Sequence, residues 1–142
     1  GSMIAGKTFA NSPVAAVHAL AYPIGGTFHI SHGLSNSLVL PYVLRFNSVD
    51  SKAANDYAEL APYIFPELDI NKGAQAVCAE FIDKLEILSK KLGLPQKLRE
   101  VDIPKNACEK MAKDAMKQTR LLVNNPREVT EVDALNIYQA AW

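Results

Sequence analysis

Hydrophobic residues recur mostly at intervals of three and four along this chain, the spacing of one face of an α-helix. Few stretches alternate strictly between apolar and polar positions, as a half-buried β-strand would. The pattern therefore predicts an all-α fold, a helical bundle of about six helices. The predicted helices cover approximately residues 11–22, 32–46, 51–64, 71–93, 104–123 and 130–142, the first with its cap at Asn11 or Ser12.

Helix-breaking and helix-capping residues set these limits. Pro23 and the two glycines that follow it are expected to end the first helix near Tyr22. Ser31 is expected to cap the second helix, and Pro41 to kink that helix or split it. A Thr-x-x-Asp sequence beginning at Thr130 predicts a capping box for the last helix.

One apolar stripe in the fourth predicted helix is expected to be core rather than a cofactor-binding face, because stripes at helical spacing usually pack against neighbouring helices. Its members recur every three or four residues and are Val77, Phe81, Leu85, Leu88 and Leu92.

Composition limits the classes of function. The 142 residues are 49% hydrophobic with fifteen basic and fifteen acidic side chains, which predicts one globular domain and gives little support for nucleic acid or an anionic membrane as partner. No apolar run approaches the roughly 20 residues of a membrane span, and no signal peptide is evident, so the expected setting is the cytosol. Cys78 and Cys108 lie far apart and are expected to be buried free thiols rather than a disulfide.

The first residues indicate how the chain begins. Gly1, Ser2 and Met3 look like a protease-cleavage scar followed by a start methionine, which leaves 4–142 as the helical domain. The sequence becomes densely apolar at once, without a polar leader. We therefore expect the chain to be cut from a longer protein, here called the parent.

Two histidines are the main candidates for chemistry. His18 and His32 stand fourteen residues apart, and in one straight helix they would be about 21 Å apart. The intervening proline and glycines allow the chain to fold back and bring the two imidazoles together. Imidazole is a common ligand of transition metals, so the pair is a candidate half-site, although packed or surface histidines are the alternative. A complete site needs a third or fourth ligand.

Two further side chains are candidates with open alternatives. His29 is either a third ligand, a mobile imidazole that shuttles a proton, or an ordinary surface residue. Tyr22 follows His18 by four residues and shares its helix face, so its hydroxyl either points into the site or finds a backbone acceptor in ordinary packing.

A series of motifs extends over nearly the whole chain. They are Phe9, Asn11, His18-Ala19, Tyr22-Pro23-Ile24-Gly25-Gly26, Ser31-His32-Gly33, Asn36, Leu40-Pro41-Tyr42, Arg45-Phe46-Asn47 and the closing NNPREVTEVDALNIYQAAW. Together they resemble the C-terminal half of the iron-containing (group III) alcohol dehydrogenases. The resemblance implies the helical C-terminal domain of the dehydroquinate synthase-like or iron-containing alcohol dehydrogenase fold.

The resemblance also implies a reaction. Iron or zinc would polarise the oxygen of a small alcohol or aldehyde while NAD(P) exchanges hydride. His18 and His32 would be two of four metal ligands, and Phe9 would line the substrate pocket. An Asp, a further His and the nucleotide-binding domain would precede this chain in the parent as its intramolecular partner. We therefore expect the 142-residue chain alone to be inactive.

Some positions depart from the family pattern. Tyr22 replaces a histidine that many members place beside the nicotinamide, so Tyr22 or His29 is expected to take over any acid–base role. Tyr42 replaces the histidine of a Leu-Pro-His motif. Gly33 and Asn36 favour the alcohol dehydrogenases over the maleylacetate reductase-like branch of the family.

Three alternatives follow for function. One is the maleylacetate reductase-like branch, and another is a hydrolase or lyase built on the same metal half-site. The third is a non-catalytic helical module that binds a partner through an exposed face. An apolar surface normally covered by the missing domain is also expected to allow a homo-oligomer.

Overall fold

The computed structural model describes residues 3–4 and 14–142, and its elements between residues 14 and 142 are helices and turns without a β-strand. This confirms the all-α prediction. The seven α-helices of that range are α1 (Ala16–Phe28), α2 (His32–Asn47), α3 (Ser51–Ile64), α4 (Ala74–Lys91), α5 (Ala107–Ala115), α6 (Thr119–Leu122) and α7 (Glu131–Ala141), with 3-10 turns at Ile70–Lys72 and Leu98–Val101.

Helix α1 begins at Ala16 and continues through Pro23 to Phe28, so it lies later in the chain than the sequence predicts. The caps predicted at Asn11 or Ser12 lie outside the described residues. The expected end near Tyr22 is wrong. A proline inside a helix removes one backbone hydrogen bond, but Ile24 and the proline itself are buried, and this packing holds the helix together. The helix ends instead at His29, whose left-handed backbone lets its N–H donate to the carbonyl of Gly25.

Helix α2 is continuous across Pro41 and does not split there. The predicted cap is wrong in detail, because the Ser31 side chain makes no capping hydrogen bond. The carbonyl of Ser31 instead accepts from the Ser35 hydroxyl at 3.0 Å. The bounds predicted for α3 are confirmed, and the Asp50 side chain caps its first turn.

The predicted helix over 104–123 is wrong, because the structure divides it into α5 and α6 around a turn at Gln118. That sequence contains no helix breaker between Ala107 and Leu122. Met116 before the turn and Leu121 after it both pack against the same core, so tertiary packing overrides local helix propensity here. The predicted capping box at Thr130 and Asp133 is confirmed.

The apolar stripe of α4 is core over only part of its length. Val77 and Phe81 are buried, as predicted, whereas Leu88 is 42% and Leu92 67% exposed, so the prediction is wrong for the last turns. Helix α3, which packs against α4, has 14 residues to the 18 of α4. The last turns of α4 therefore extend beyond the end of α3.

The buried apolar residues form two clusters. The larger cluster is built mainly from α1, α2, α5 and α7, and the smaller cluster from α3 and α4 with Leu68. Arg45 of α2 joins the two parts, because its guanidinium donates to Glu86 and Asp83 of α4. Cys78 lies in the smaller cluster and Cys108 in the larger, both free and buried, which confirms the prediction for the cysteines.

A buried hydrogen bond ties α1 to α7. Tyr138 of α7 is 0% exposed, and its hydroxyl donates to the carbonyl of Leu20 in α1 at 2.6 Å. Leu20 lies between His18 and Tyr22 along the chain. The bond thus fixes the part of α1 that holds the candidate site residues.

Candidate metal centre

The connection between α1 and α2 determines where the two histidines lie. A Cβ atom added to Gly25 would be 3.2 Å from the carbonyl oxygen of Ile30 and 3.6 Å from the Ser35 hydroxyl. Segment 29–31 therefore folds back closely against α1, and glycine leaves the room for it. This return, rather than a break at Pro23, brings the start of α2 beside α1.

His18 and His32 are neighbours in the structure. Their ring centroids are 5.2 Å apart, and the planes are inclined by 54°. The ring of Tyr22 lies 6.0 Å from that of His32, so the three side chains form one group. His18 is half-buried, whereas Tyr22 and His32 are exposed. A chain that folds back between His18 and His32 is expected to bring the two imidazoles together in this way.

The environment of His18 favours its neutral form. Burial, and then the neighbouring imidazole of His32, lower the pKa of His18 from its ordinary value of 6.5. A neutral imidazole keeps a lone pair on one ring nitrogen, which is the form that binds a metal ion. Near neutral pH His18 is therefore chemically suited to act as a nitrogen ligand.

Asn36 is a site residue whose contact sequence reasoning did not find. It lies one helical turn after His32, and its amide nitrogen Nδ2 is 3.1 Å from Nε2 of His32. Its Oδ1 atom is buried and has no hydrogen-bond partner among the described residues. The only signal in the sequence was the i, i+4 spacing of His32 and Asn36, which places both on one face of a helix.

The other candidates lie differently. His29 is exposed at the end of α1, and the ring contacts of the described residues join His18, Tyr22 and His32 without it. Phe9 lies outside the described residues. Tyr42, the replacement for a family histidine, is covered by the Lys97 ammonium at 5.0 Å, away from this group.

Motif positions near the end of α2 have structural partners. Asn47 is buried, and its amide nitrogen donates to Asn125 and to the Tyr57 hydroxyl, while Arg127 stacks on Phe46 at 3.9 Å. These contacts join α2 to α3 and to the turn before α7. They give this part of the motif a structural role.

The described part of the chain brings together two imidazoles, fewer groups than a four-ligand metal site needs. Over those residues, no group of three or more His, Cys, Asp or Glu side chains is arranged to hold a metal ion. Two adjacent imidazoles do fit the nitrogen-rich donor sets of iron and zinc, but a four-ligand site needs further groups.

Among the described helices, none combines the length and hydropathy required to cross a bilayer.

The sequence profile described as "Fe-containing alcohol dehydrogenase family, C-terminal" matches residues 1–142. The chain therefore belongs to the Fe-containing alcohol dehydrogenase family, and it corresponds to the family's C-terminal region. The family predicted from the motifs is confirmed.

Individual relatives agree with this assignment. The chain is 40% identical over 145 residues to long-chain-alcohol dehydrogenase 1 of Geobacillus thermodenitrificans, an alignment that covers 100% of this chain and 35% of that protein. It is 30% identical to 1,3-propanediol dehydrogenase of Citrobacter freundii, over 99% of this chain and 35% of the relative. The chain thus spans about a third of the length of the curated relatives it matches.

Solved structures show the same fold. An alcohol dehydrogenase from Oenococcus oeni superposes with a TM-score of 0.87 at 30% identity, over 99% of this chain and 36% of that one. A 1,3-propanediol oxidoreductase superposes with a TM-score of 0.82 at 27% identity, over 90% of this chain and 32% of the other. The predicted fold class, the C-terminal domain of an iron-containing alcohol dehydrogenase, is confirmed.

Proposed function

We propose that this chain is the metal-binding C-terminal half of an NAD(P)-dependent alcohol dehydrogenase that interconverts an alcohol and an aldehyde or ketone. The observation that supports this most directly is the contact between the His18 and His32 rings, 5.2 Å apart on two helices. Membership of the family and the names of the relatives support the reaction class.

The donor set suits iron or zinc. His18 and His32 each offer a ring nitrogen, and the lowered pKa of His18 keeps its lone pair available near neutral pH. When bound, the metal supplies Lewis-acid polarisation of the substrate oxygen. Two further ligands and the nucleotide-binding domain come, in this proposal, from the part of the parent that precedes this chain.

Other side chains of this chain would handle protons and substrate. The Tyr22 ring is 46% exposed and 6.0 Å from His32, so its hydroxyl oxygen is a candidate to hold a proton near the reacting group. His29 is a second candidate, an exposed imidazole at the end of α1 that would relay the proton to solvent. Phe9 is proposed as an apolar wall of the substrate pocket.

The ligand assignment is tested in the full-length parent with His18→Ala and His32→Ala. Each substitution removes one of the ring nitrogens, so both variants are expected to lose bound metal and alcohol-dependent NAD(P)H formation. Asn55→Ala, at an exposed position of α3, is the matched control and should retain both. Metal content is measured by elemental analysis, and full metal with normal turnover in either histidine variant would show that the assignment is wrong.

The 142-residue chain provides the second arm of the experiment. It is expected to bind iron or zinc weakly and to show no alcohol oxidation, because it holds only two of the four proposed ligands. Robust turnover by this chain alone would contradict the division of the site between two domains. If neither the parent nor this chain bound metal or oxidised alcohols, the non-catalytic helical module would become the better interpretation.

A further inference from the structure

The hydrogen bond between Asn36 and His32 has a definite direction. An amide NH2 group can only donate, so the lone pair of His32 Nε2 accepts from Asn36 Nδ2 across the 3.1 Å separation. A neutral imidazole carries one proton on its two nitrogens. When Nε2 accepts, the proton of the neutral His32 ring is on Nδ1.

The burial of the Asn36 amide supports this orientation. Turning the amide by 180° would direct Oδ1 at His32 and place the NH2 group, with two donors, in the buried position that Oδ1 now occupies. Under-satisfied carbonyl oxygens are tolerated in protein interiors more often than orphaned N–H groups. The observed arrangement, with a single buried acceptor atom unpartnered, is therefore the less costly one.

No other described ring contact determines the tautomer of His32. Its neighbours His18 and Tyr22 lie at centroid distances of 5.2 and 6.0 Å, which are ring contacts and not hydrogen bonds. His32 is exposed, so solvent alone would leave both tautomers and several ring orientations populated. The hydrogen bond to Asn36 is the contact that selects between them.

We infer that Asn36 is a positioning residue that fixes the Nδ1–H tautomer of His32 and holds its Nε2 lone pair in place. The inference rests on the proposed function for its consequence, since Nε2 is then the atom that His32 offers to the metal. At Nε2 a bound metal ion would replace the Asn36 amide as the partner of the His32 lone pair. Asn36 thus keeps the metal-free ring in the form that a metal ligand requires.

The test uses the full-length parent, stripped of metal and labelled with 15N in its histidine rings, at about pH 8, where imidazoles are mostly neutral. Imidazole nitrogens with and without a proton have well-separated 15N resonances, and His32→Gln identifies the His32 signals. In the wild type, Nδ1 of His32 should be protonated and Nε2 should not. A His32 ring protonated mainly on Nε2 would overturn the inference.

Two substitutions change the hydrogen bond in opposite ways. Asn36→Ala removes it, so His32 should show a mixture of tautomers. Asn36→Asp keeps the shape of the side chain but can only accept, so the proton of His32 should move to Nε2. Asn55→Ala is the matched control and should leave the His32 spectrum unchanged. An unaltered tautomer in both Asn36 variants would overturn the inference, and thermal unfolding curves confirm that each variant is folded.

Adding Zn²⁺ to the same samples separates this inference from the proposed function. In the wild type, Zn²⁺ should shift the Nε2 resonance of His32 and the side-chain amide resonances of Asn36 together, as the amide is released. If Zn²⁺ shifted neither histidine, the ligand assignment would fail, whereas the tautomer inference is decided by the metal-free spectra alone. If the Nε2 resonance of His32 shifted while the Asn36 amide resonances did not, the metal would not replace the Asn36 amide at Nε2, contrary to the inference.

Discussion

A single hydroxyl group secures the helix on which the candidate site is built. Tyr138 donates to the carbonyl of Leu20 at 2.6 Å, in surroundings from which water is excluded. Burial raises the pKa of Tyr138 well above its ordinary value, so the phenol stays protonated and remains a donor. The residues on either side of Leu20 include His18 and Tyr22, so the bond supports the site indirectly.

Removing that hydroxyl gives a prediction at the residue scale. Tyr138→Phe removes the phenol donor from the Leu20 carbonyl and is expected to lower the free energy of unfolding by about 0.5–1.5 kcal/mol. The matched control is Tyr63→Phe, because Tyr63 is 83% exposed and its hydroxyl loses only contact with water. Urea denaturation of the 142-residue chain measures both, and equal stabilities of the two variants would show that the buried bond contributes little.

Residue types in the sequence predicted part of the candidate site. His18 and His32 stood out because imidazole is a common metal ligand and because helix breakers lay between them. The contact of Asn36 could not be read in the same way, since an i, i+4 pair is common in helices and the direction of its hydrogen bond depends on side-chain geometry. The structural partners of Asn47 are Tyr57 in α3 and Asn125 before α7. Both are too far from Asn47 in sequence for a local pattern to predict the contact.

At the scale of elements, the two glycines of α1 have different roles. Gly25 lies against the returning chain, where a Cβ atom would be 3.2 Å from the Ile30 carbonyl oxygen. Gly26 has no atom within 4 Å of the same position and is exposed. Packing therefore requires a glycine at position 25, whereas at position 26 only helix propensity distinguishes glycine from alanine.

This difference yields a paired prediction. Gly26→Ala should stabilise the chain by up to about 1 kcal/mol, because alanine favours a helix more than glycine does. Gly25→Ala should destabilise it by roughly 1–3 kcal/mol, because the methyl group pushes against a backbone carbonyl. Thermal and chemical unfolding of the two variants decide the matter. A stabilised Gly25→Ala variant would mean that segment 29–31 moves away at little cost.

The same segment explains why helix ends were harder to predict than helix positions. Pro23 and the glycines suggested a break, yet buried side chains such as Ile24 carry α1 through them to Phe28. The opposite error occurred at Gln118, where a turn forms without any breaking residue. Where capping chemistry was local, as at Thr130 and Asp133, the helix start was predictable, because the groups involved are close in sequence.

At the scale of the whole molecule, the two hydrophobic clusters differ in size. Among the described residues, the larger cluster contains eighteen buried residues and the smaller cluster seven. Helix periodicity predicted that a core would form, but not that it would be divided, since the division depends on which helices become neighbours. The smaller cluster, with fewer buried contacts, is expected to open at a lower free energy than the rest of the molecule.

Hydrogen exchange tests this expectation. Backbone amides of α3 and α4 should exchange faster than those of α1, α2 and α7 when followed by mass spectrometry of the folded chain. Ile82→Val, in the smaller cluster, should speed exchange in α3 and α4 alone, at a cost of about 0.5–1.5 kcal/mol. Ile137→Val is the corresponding change in the larger cluster. If both variants sped exchange everywhere to the same degree, the chain would unfold as one cooperative unit.

The placement of the cysteines gives the protein a built-in chemical reporter for each cluster. Cys78 belongs to the smaller cluster and Cys108 to the larger, and burial raises the pKa of both thiols, so neither reacts readily in the closed state. A thiol-alkylating reagent would therefore label each sulfur only when its own cluster opens. The two labelling rates therefore measure how often each cluster opens, without a substitution or an added probe.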